Sequence, residues 1–293
     1  MMRLPFKYIV ENEKDALWGL TVSTVGYEVY KPGEKYPNKA HHNGYYFHPD
    51  KGRILQEYQL CYISEGNGFF ESWSQPRCRV TGGTMFLLFP GEWHAYCPDL
   101  NTGWKQYWIG FKGVNMDLRV HNNILRKDSP LFHVGVNNDI IHLYQQAINI
   151  ALEEKAHFQL VLAGYANQLL GLMYYLDSNR CFNNKNRSLV ELIKKAQAWM
   201  QEELEEPLSI QDIACKLGVS YSLFRRNFKE YSGVSPAHYL QDIRLQRARE
   251  LLQTTSLSVK EIAYNLHFDS PEYFSSQFRK KVGLSPSKFR ENL

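Results

Sequence analysis

Ser222, Arg225, Arg226 and Lys229 recur at i, i+3, i+4 and i+7, the spacing that lines side chains along one face of an α-helix. Tyr221, Phe224, Phe228 and Tyr231 fall on the opposite arc, so one face can pack while the other stays short, polar and basic. The guanidinium groups of Arg225 and Arg226 have the reach and the planar fork to donate two bonds to guanine O6 and N7. Lys229, further along, is placed for a phosphate. The pattern returns fifty residues later. Phe274 and Phe278 form the packing side, and the other arc carries Glu272, Ser275, Ser276 and Arg279, followed by Lys280 and Lys281. Glu272 can accept from cytosine N4 and the serines can donate or accept, while Arg279, Lys280 and Lys281 supply charge for phosphates. Base-edge readout is the chemistry both faces suit, the first with more base affinity and the second with more positioning.

A second constellation lies upstream. Trp73, Trp93, His94, Tyr96, Trp104, Tyr107 and Trp108 crowd one stretch, with Arg53 and Glu57 as polar companions. Aromatic faces with a few polar groups suit a neutral, hydroxyl-rich ligand such as a sugar. A metal centre would need three or four ligands, drawn here from His94, His41, His42 and His48. His41 and His42 are adjacent, and on a strand they point to opposite faces. No metal and no cofactor is therefore expected. Neither a Gly-rich phosphate loop, a Ser/His/Asp set nor a nucleophile elbow is evident, so no enzyme is expected.

The elements that must carry these groups differ between the two ends. From about Val22 to Phe111 the signals are short strands and turns. Gln59–Ile63, a loop over 64–68 and Phe69–Trp73 read as a hairpin. Thr81-Gly82-Gly83 is a second turn, Thr84–Phe89 an apolar run too short for a helix, and Gln106–Phe111 a further strand. Together they predict a sandwich or small barrel. Helical spacing begins near Asp139, runs to Leu152 and resumes over Phe158–Leu176, a helical hairpin that could cover the sheet and join two subunits. Residues 177–188 are polar, Asn-rich and aperiodic and mark the expected boundary: a sensing and dimerisation domain over 1–176, a linker over 177–188 and a second domain over 189–293.

That second domain repeats itself. Ile213-Ala214 and Leu217 return 49 residues later as Ile262-Ala263 and Leu266, and Gly233-Val234-Ser235-Pro236 returns 50 residues later as Gly283-Leu284-Ser285-Pro286. Each copy reads as helix, tight turn, helix, over about 209–230 and 258–281. Ser209 and Ser220 are N-caps in the first copy, and Gly218 supplies the left-handed turn residue. Pro236–Gln253 predicts one connecting helix of about 27 Å, comparable with the roughly 34 Å turn of B-DNA.

Charge follows the same division. The net charge of +4 over 293 residues is an average: residues 213–293 hold thirteen Lys/Arg against seven Asp/Glu, a surplus of six, which leaves residues 1–212 at −2. Residues 1–108 hold 21 of the 41 aromatic residues, so the halves have different work. There is no run of about 18 apolar residues, which excludes a membrane span. The start lacks the apolar core of a secretory signal. Five scattered cysteines with no C-x-x-C suit a reducing compartment. A cytoplasmic protein is expected.

The C-terminal residues resemble the AraC/XylS family of bacterial transcription regulators. The marks are Leu208-Ser209-Ile210, Leu217-Gly218-Val219-Ser220, Phe228-Lys229, Gly233-Val234-Ser235-Pro236, Arg244-Leu245, Ala248 and Leu251-Leu252. They continue with Phe268-Asp269, Tyr273-Phe274, Phe278-Arg279-Lys280 and Gly283–Arg290. Gly83, Pro90-Gly91 and His94 echo, more loosely, the family's cupin-type sensor. The resemblance implies an α+β two-domain protein: an N-terminal cupin-like β-barrel with a helical hairpin, then an all-α domain of two helix-turn-helix units joined by a long helix. It implies a sequence-specific, cytoplasmic regulator, an activator or a repressor, that binds promoter DNA, senses a carbohydrate effector, acts as a homodimer and meets RNA polymerase. A cupin metalloenzyme fused to a DNA-binding domain and a ligand-independent DNA binder are the alternatives. One residue departs from the family pattern: His267 stands where glycine is usual in the second turn, which puts the form of that turn in question.

Overall fold

The computed structural model describes residues 6–37 and 46–292, with the backbone alone over 181–187. It divides into two units, Met1–Cys181 and Phe182–Leu293. The first contains β1 (Phe6–Tyr8), α1 (Glu13–Ala16), β2 (Thr21–Tyr30), β3 (Arg53–Ile54), β4 (Tyr58–Ser72), β5 (Cys78–Thr81), β6 (Thr84–Leu88), β7 (Trp93–Pro98) and β8 (Trp104–Lys112). It continues through α2 (Val114–His121), β9 (Leu131–His133), α3 (Asn138–Glu153) and the start of α4 (Phe158–Glu202). The strands run in the order β1-β2-β8-β4-β6-β9, with β5 and β7 paired to β4 and β3 paired to β7. Among the described residues the sheet folds over on itself without closing into a ring of paired strands, so the expected barrel is open.

β4 makes the bend. Its first part pairs with β8 and β6, and after a register shift between Ile63 and Glu65 its second part, Asn67–Ser72, pairs with β5 and β7. The expected hairpin over 59–73 is thus one continuous strand that changes layers, a corner made by a bulge. Gly66 sits at φ +87°, and a Cβ there would lie 2.1 Å from the Gly103 carbonyl oxygen. A glycine in that position marks a bend in one strand as readily as a loop between two.

Alternation along β4 and β8 separates two cores. Leu60, Tyr62, Ile109 and Phe111 face the helices and pack with Ile140, Tyr144, Leu162 and Leu169. Cys61, Ile63, Trp104 and Trp108 face inward between the layers with Phe70, Phe86 and Tyr96. α4 runs on through residues 177–188, and the division between units falls within it. The expected aperiodic linker is helical because no glycine or proline interrupts residues 172–206, and polar residues cost little per position once a helix has started. Among the described residues, no helix is long and apolar enough to cross a membrane.

The second unit is helical: the end of α4, then α5 (Ile210–Lys216), α6 (Tyr221–Ser232), α7 (Pro236–Thr254), α8 (Val259–Asn265), α9 (Pro271–Val282) and α10 (Pro286–Glu291). It forms two lobes with separate cores. Ile193, Ala196, Met200, Ile213, Phe224, Phe228 and Leu240 build the first. Leu245, Ala248, Leu252, Ile262, Phe274 and Phe278 build the second. Among the described residues, only α7 contributes to both.

The two turns match. Gly218 stands at φ +69° and His267 at φ +52°. Val219 N–H donates to the Ala214 carbonyl at 3.1 Å and Phe268 N–H to the Ala263 carbonyl at 3.0 Å. The second turn therefore forms without glycine. Left-handed backbone costs a non-glycine residue on the order of 1 kcal/mol. Ser209, Ser220, Ser258 and Ser270 cap their helices, and Ser258 forms a capping box with Glu261.

Candidate ligand cavity and nucleic-acid interface

In the first unit a cavity opens between the sheet layers, lined by Tyr8, Tyr36, Pro37, Phe47, Arg53, Gln59, Tyr96, Gln106 and Trp108. Its free volume is about 20 Å³, room for about one water. Tyr36 and Pro37 also line an outer cleft of about 1080 Å³ with Tyr27, Glu28, Tyr30, Tyr46 and His48.

The polar centre of the cavity is Arg53. Its Nη2 donates to the Tyr96 hydroxyl at 2.7 Å and reaches Gln59 Oε1 at 3.4 Å, while Nε donates to His94 Nε2 at 3.3 Å. The guanidinium lies 4.6 Å from the centre of the Phe47 ring, a cation–π contact. His94 is 1% exposed, and burial, reinforced by the Arg53 charge, lowers its pKa to about 3. Its Nδ1 is 3.1 Å from the Glu92 carbonyl. A carbonyl only accepts, so Nδ1 carries the proton and Nε2 is free to accept from Arg53. The ring thus acts as a neutral support. Burial likewise keeps the Tyr96 phenol protonated, its pKa raised despite the nearby Arg53 charge.

Of the aromatic and polar candidates, Arg53, Tyr96 and Trp108 line the cavity and His94 stands directly behind Arg53. Trp104 packs edge-on to Tyr36 at 5.9 Å. The others lie elsewhere. Trp73 is 67% exposed, just beyond the end of β4. Trp93 is half-buried and donates to the Lys51 carbonyl at 2.8 Å. Tyr107 lies on the opposite face of β8, its ring 4.5 Å from Tyr27 and 5.6 Å from Tyr144. Glu57 is buried against the Ser23 hydroxyl, which donates to it, and is not among the cavity-lining residues. Strand parity could have removed Tyr107, since Trp104, Gln106 and Trp108 share one face of β8 and Tyr107 the other. The same parity could have brought in Gln59 and Gln106, polar residues inside apolar strands. Nothing local in the sequence points to Tyr8, Tyr36 or Phe47.

Among the described residues, no group of three or more His, Cys, Asp or Glu is arranged to hold a metal ion. His41 and His42 lie outside the described residues. His48 is exposed beside Asp50.

In the second unit, α6 buries Phe224 and Phe228 and exposes Ser222, Arg225, Arg226 and Lys229. Tyr221, expected on the packing side, is 40% exposed, whereas Asn227 is buried. α9 buries Phe274 and Phe278. It exposes Glu272, Ser276, Arg279 and Lys280, with Ser275 half-buried. The Glu272 carboxyl is held below its ordinary pKa by hydrogen bonds from its own backbone N–H and from Ser270, so it presents an ionised acceptor. Lys281 is exposed but paired with Asp242 of α7 at 2.9 Å, which leaves less of its charge for a phosphate than Arg279 and Lys280 have.

Comparison with known proteins agrees with this division. Residues 23–170 match the AraC-like ligand binding domain and residues 213–292 a helix-turn-helix domain. The MmsAB operon regulatory protein of Pseudomonas aeruginosa is 27% identical over 242 residues, 81% of this chain and 76% of its own length. The Msm operon regulatory protein of Streptococcus mutans is 28% identical over 269 residues, 89% of this chain and 92% of its own. The raffinose operon transcriptional regulatory protein RafR of Pediococcus pentosaceus is 26% identical over 250 residues, 82% and 87%. With a ligand-binding sheet ahead of two helix-turn-helix lobes, and with relatives matched across both, the chain belongs to the AraC/XylS family of DNA-binding transcription regulators.

Proposed function

We propose that the cavity of the first unit binds a hydroxyl-rich small molecule, a sugar or sugar derivative, and that the protein regulates a promoter by binding, without catalysing a reaction. The observation that carries this reading is Arg53, a guanidinium held by His94, Gln59 and Tyr96 inside aromatic walls. Such a fork and ring faces suit hydroxyl groups and the apolar face of a sugar, and the raffinose-operon relative adds support. A monosaccharide needs more than one water's volume, so its binding entails displacement of Tyr36, which lines both cavity and cleft.

The test is thermal shift against a broad sugar panel. One or more sugars raise the melting temperature of the wild type. Arg53→Ala weakens that sugar by about 10- to 150-fold, the value of charged hydrogen bonds worth roughly 1.5–3 kcal/mol. Silence across the panel, or an unaltered response in the variant, would overturn the proposal.

The same reading makes Ser222, Arg225, Arg226, Glu272, Ser275 and Ser276 the groups that meet bases and Lys229, Arg279 and Lys280 those that meet phosphates, with Lys281 secondary. RNA polymerase is the partner such a regulator would meet at a promoter.

A homodimer through the outer face of α4 completes the proposal. Val161, Gln168 and Tyr175 are exposed at helical spacing on that face, Val161 47% and Tyr175 63%, between Tyr165 and Leu172, which are half-buried against the core beneath. A stripe of this kind can meet its own copy across a two-fold axis. Sedimentation of the wild type should give a dimer at micromolar concentration, and V161E with Y175E a monomer. A monomeric wild type, with and without DNA, would remove the dimer.

A further inference from the structure

Among the described residues, the two lobes of the second unit share no buried core residue, and α7 alone contributes to both cores. Since α6 belongs to the first lobe and α9 to the second, whatever fixes the lobes on α7 also fixes the separation and phase of the two exposed basic faces.

One cross-link between the lobes does not pass through α7. His267 Nε2 lies 2.9 Å from the backbone carbonyl of Glu205, in the segment that leads from α4 into α5. A carbonyl only accepts, so Nε2 is the donor. The surrounding contacts converge on the same spot. The Glu205 carboxylate pairs with Arg247 at 3.3 Å, and Arg244 Nη1 donates to the His267 carbonyl at 3.3 Å. The turn of the second lobe is thereby tied to the loop of the first.

The internal repeat supplies a comparison. Gly218, the counterpart of His267, adopts the same left-handed backbone, and a Cβ there would meet nothing within 4 Å. The turn itself therefore needs no side chain. At the second turn an imidazole is kept in a backbone region that favours glycine, and its ring reaches the other lobe. Strain retained at a single position of a repeat points to a use for the side chain.

We propose that His267 is a positioning residue that clamps the two lobes at a fixed relation and so sets the half-site spacing the protein accepts. One added base pair rotates the second half-site by roughly 35° and moves it by about 3.4 Å, a displacement that a clamped pair of lobes resists and an unclamped pair absorbs. The inference rests on both lobes contacting DNA together.

The experiment uses the full-length protein and a duplex that the wild type selects from a random library, together with the same duplex carrying one base pair inserted between the half-sites. H267G suits the turn and keeps the fold. H267N also tolerates left-handed backbone but ends one bond short of Nε2. Both variants should melt no lower than the wild type by more than a few degrees. In both, the ratio of affinities for native over inserted spacing falls by about two- to tenfold, the value of one hydrogen bond. A ratio unchanged from wild type in both variants overturns the proposal, as does a loss equal at the two spacings. R225A distinguishes this from a misplaced reading helix: it lowers affinity at both spacings and leaves the ratio alone, whereas unchanged affinity in R225A faults the helix assignment and not the clamp.

Discussion

Phe228→Ala is expected to unfold the first helix-turn-helix lobe and abolish DNA binding while leaving the ligand-binding unit folded. Phe228 is 0% exposed, and its ring packs 5.5 Å from both Phe224 and Tyr239. Deleting such a ring costs about 3–5 kcal/mol, from forfeited transfer free energy and the cavity left behind. A small lobe cannot absorb that loss, because whole domains are stable by only about 5–15 kcal/mol. Calorimetry should show one transition lowered by more than roughly 12 °C, at about 4–8 °C per kcal/mol for a unit of this size. The transition of the first unit, whose cores are separate, should stay in place. A shift of only a few degrees would mean that Phe228 is not the keystone of its lobe.

Arg225→Ala and Arg226→Ala are expected to act on DNA binding without a comparable cost in stability. Both side chains are exposed, and among the described residues neither is held in an ion pair. If each forms a bidentate bond to a base, each truncation costs about 1–3 kcal/mol, or roughly 5- to 150-fold in affinity, and relaxes preference at the base it reads. The two are adjacent, so their effects need not add. Lys280→Ala provides the contrast. Without its ammonium group to neutralise a phosphate, affinity drops alike on all sequences and the salt dependence flattens by about one unit. Filter binding at several salt concentrations separates the two behaviours. An Arg225→Ala variant with wild-type affinity and preference would show that α6 does not read bases.

The second unit was far more legible in the sequence than the first. Its helices α5 to α10 are each capped by serine, and glycine follows α5, α6 and α9. It is also written twice, so Gly233-Val234-Ser235-Pro236 and Gly283-Leu284-Ser285-Pro286 each mark the same joint. Helical periodicity then put Arg225, Arg226 and Lys229 on the exposed face without any tertiary knowledge. The cavity was only half legible. Arg53, Tyr96 and Trp108 stand out by residue type, yet Tyr36 and Phe47 reach it from chain outside the strands, and no local signal foretells such an approach. Trp73 shows the opposite error, a large aromatic residue left on the surface. The bend in β4 was hidden for a related reason: Gly66 makes room for Gly103, and that approach spans 37 residues of chain. α4 passed unbroken through a stretch whose composition suggested a loop, because asparagine-rich sequence weakens a helix without ending it.

The division of reading between two helices can be tested by one measurement. Affinities are determined for the selected duplex and for every single-base change in it, with the wild type, Arg225→Ala and Glu272→Ala side by side. Arg225→Ala should erase preference in one half-site and Glu272→Ala in the other, about one helical turn away. If both variants erase preference at the same bases, or if both keep the wild-type profile throughout, α6 and α9 are not the two elements that read the DNA.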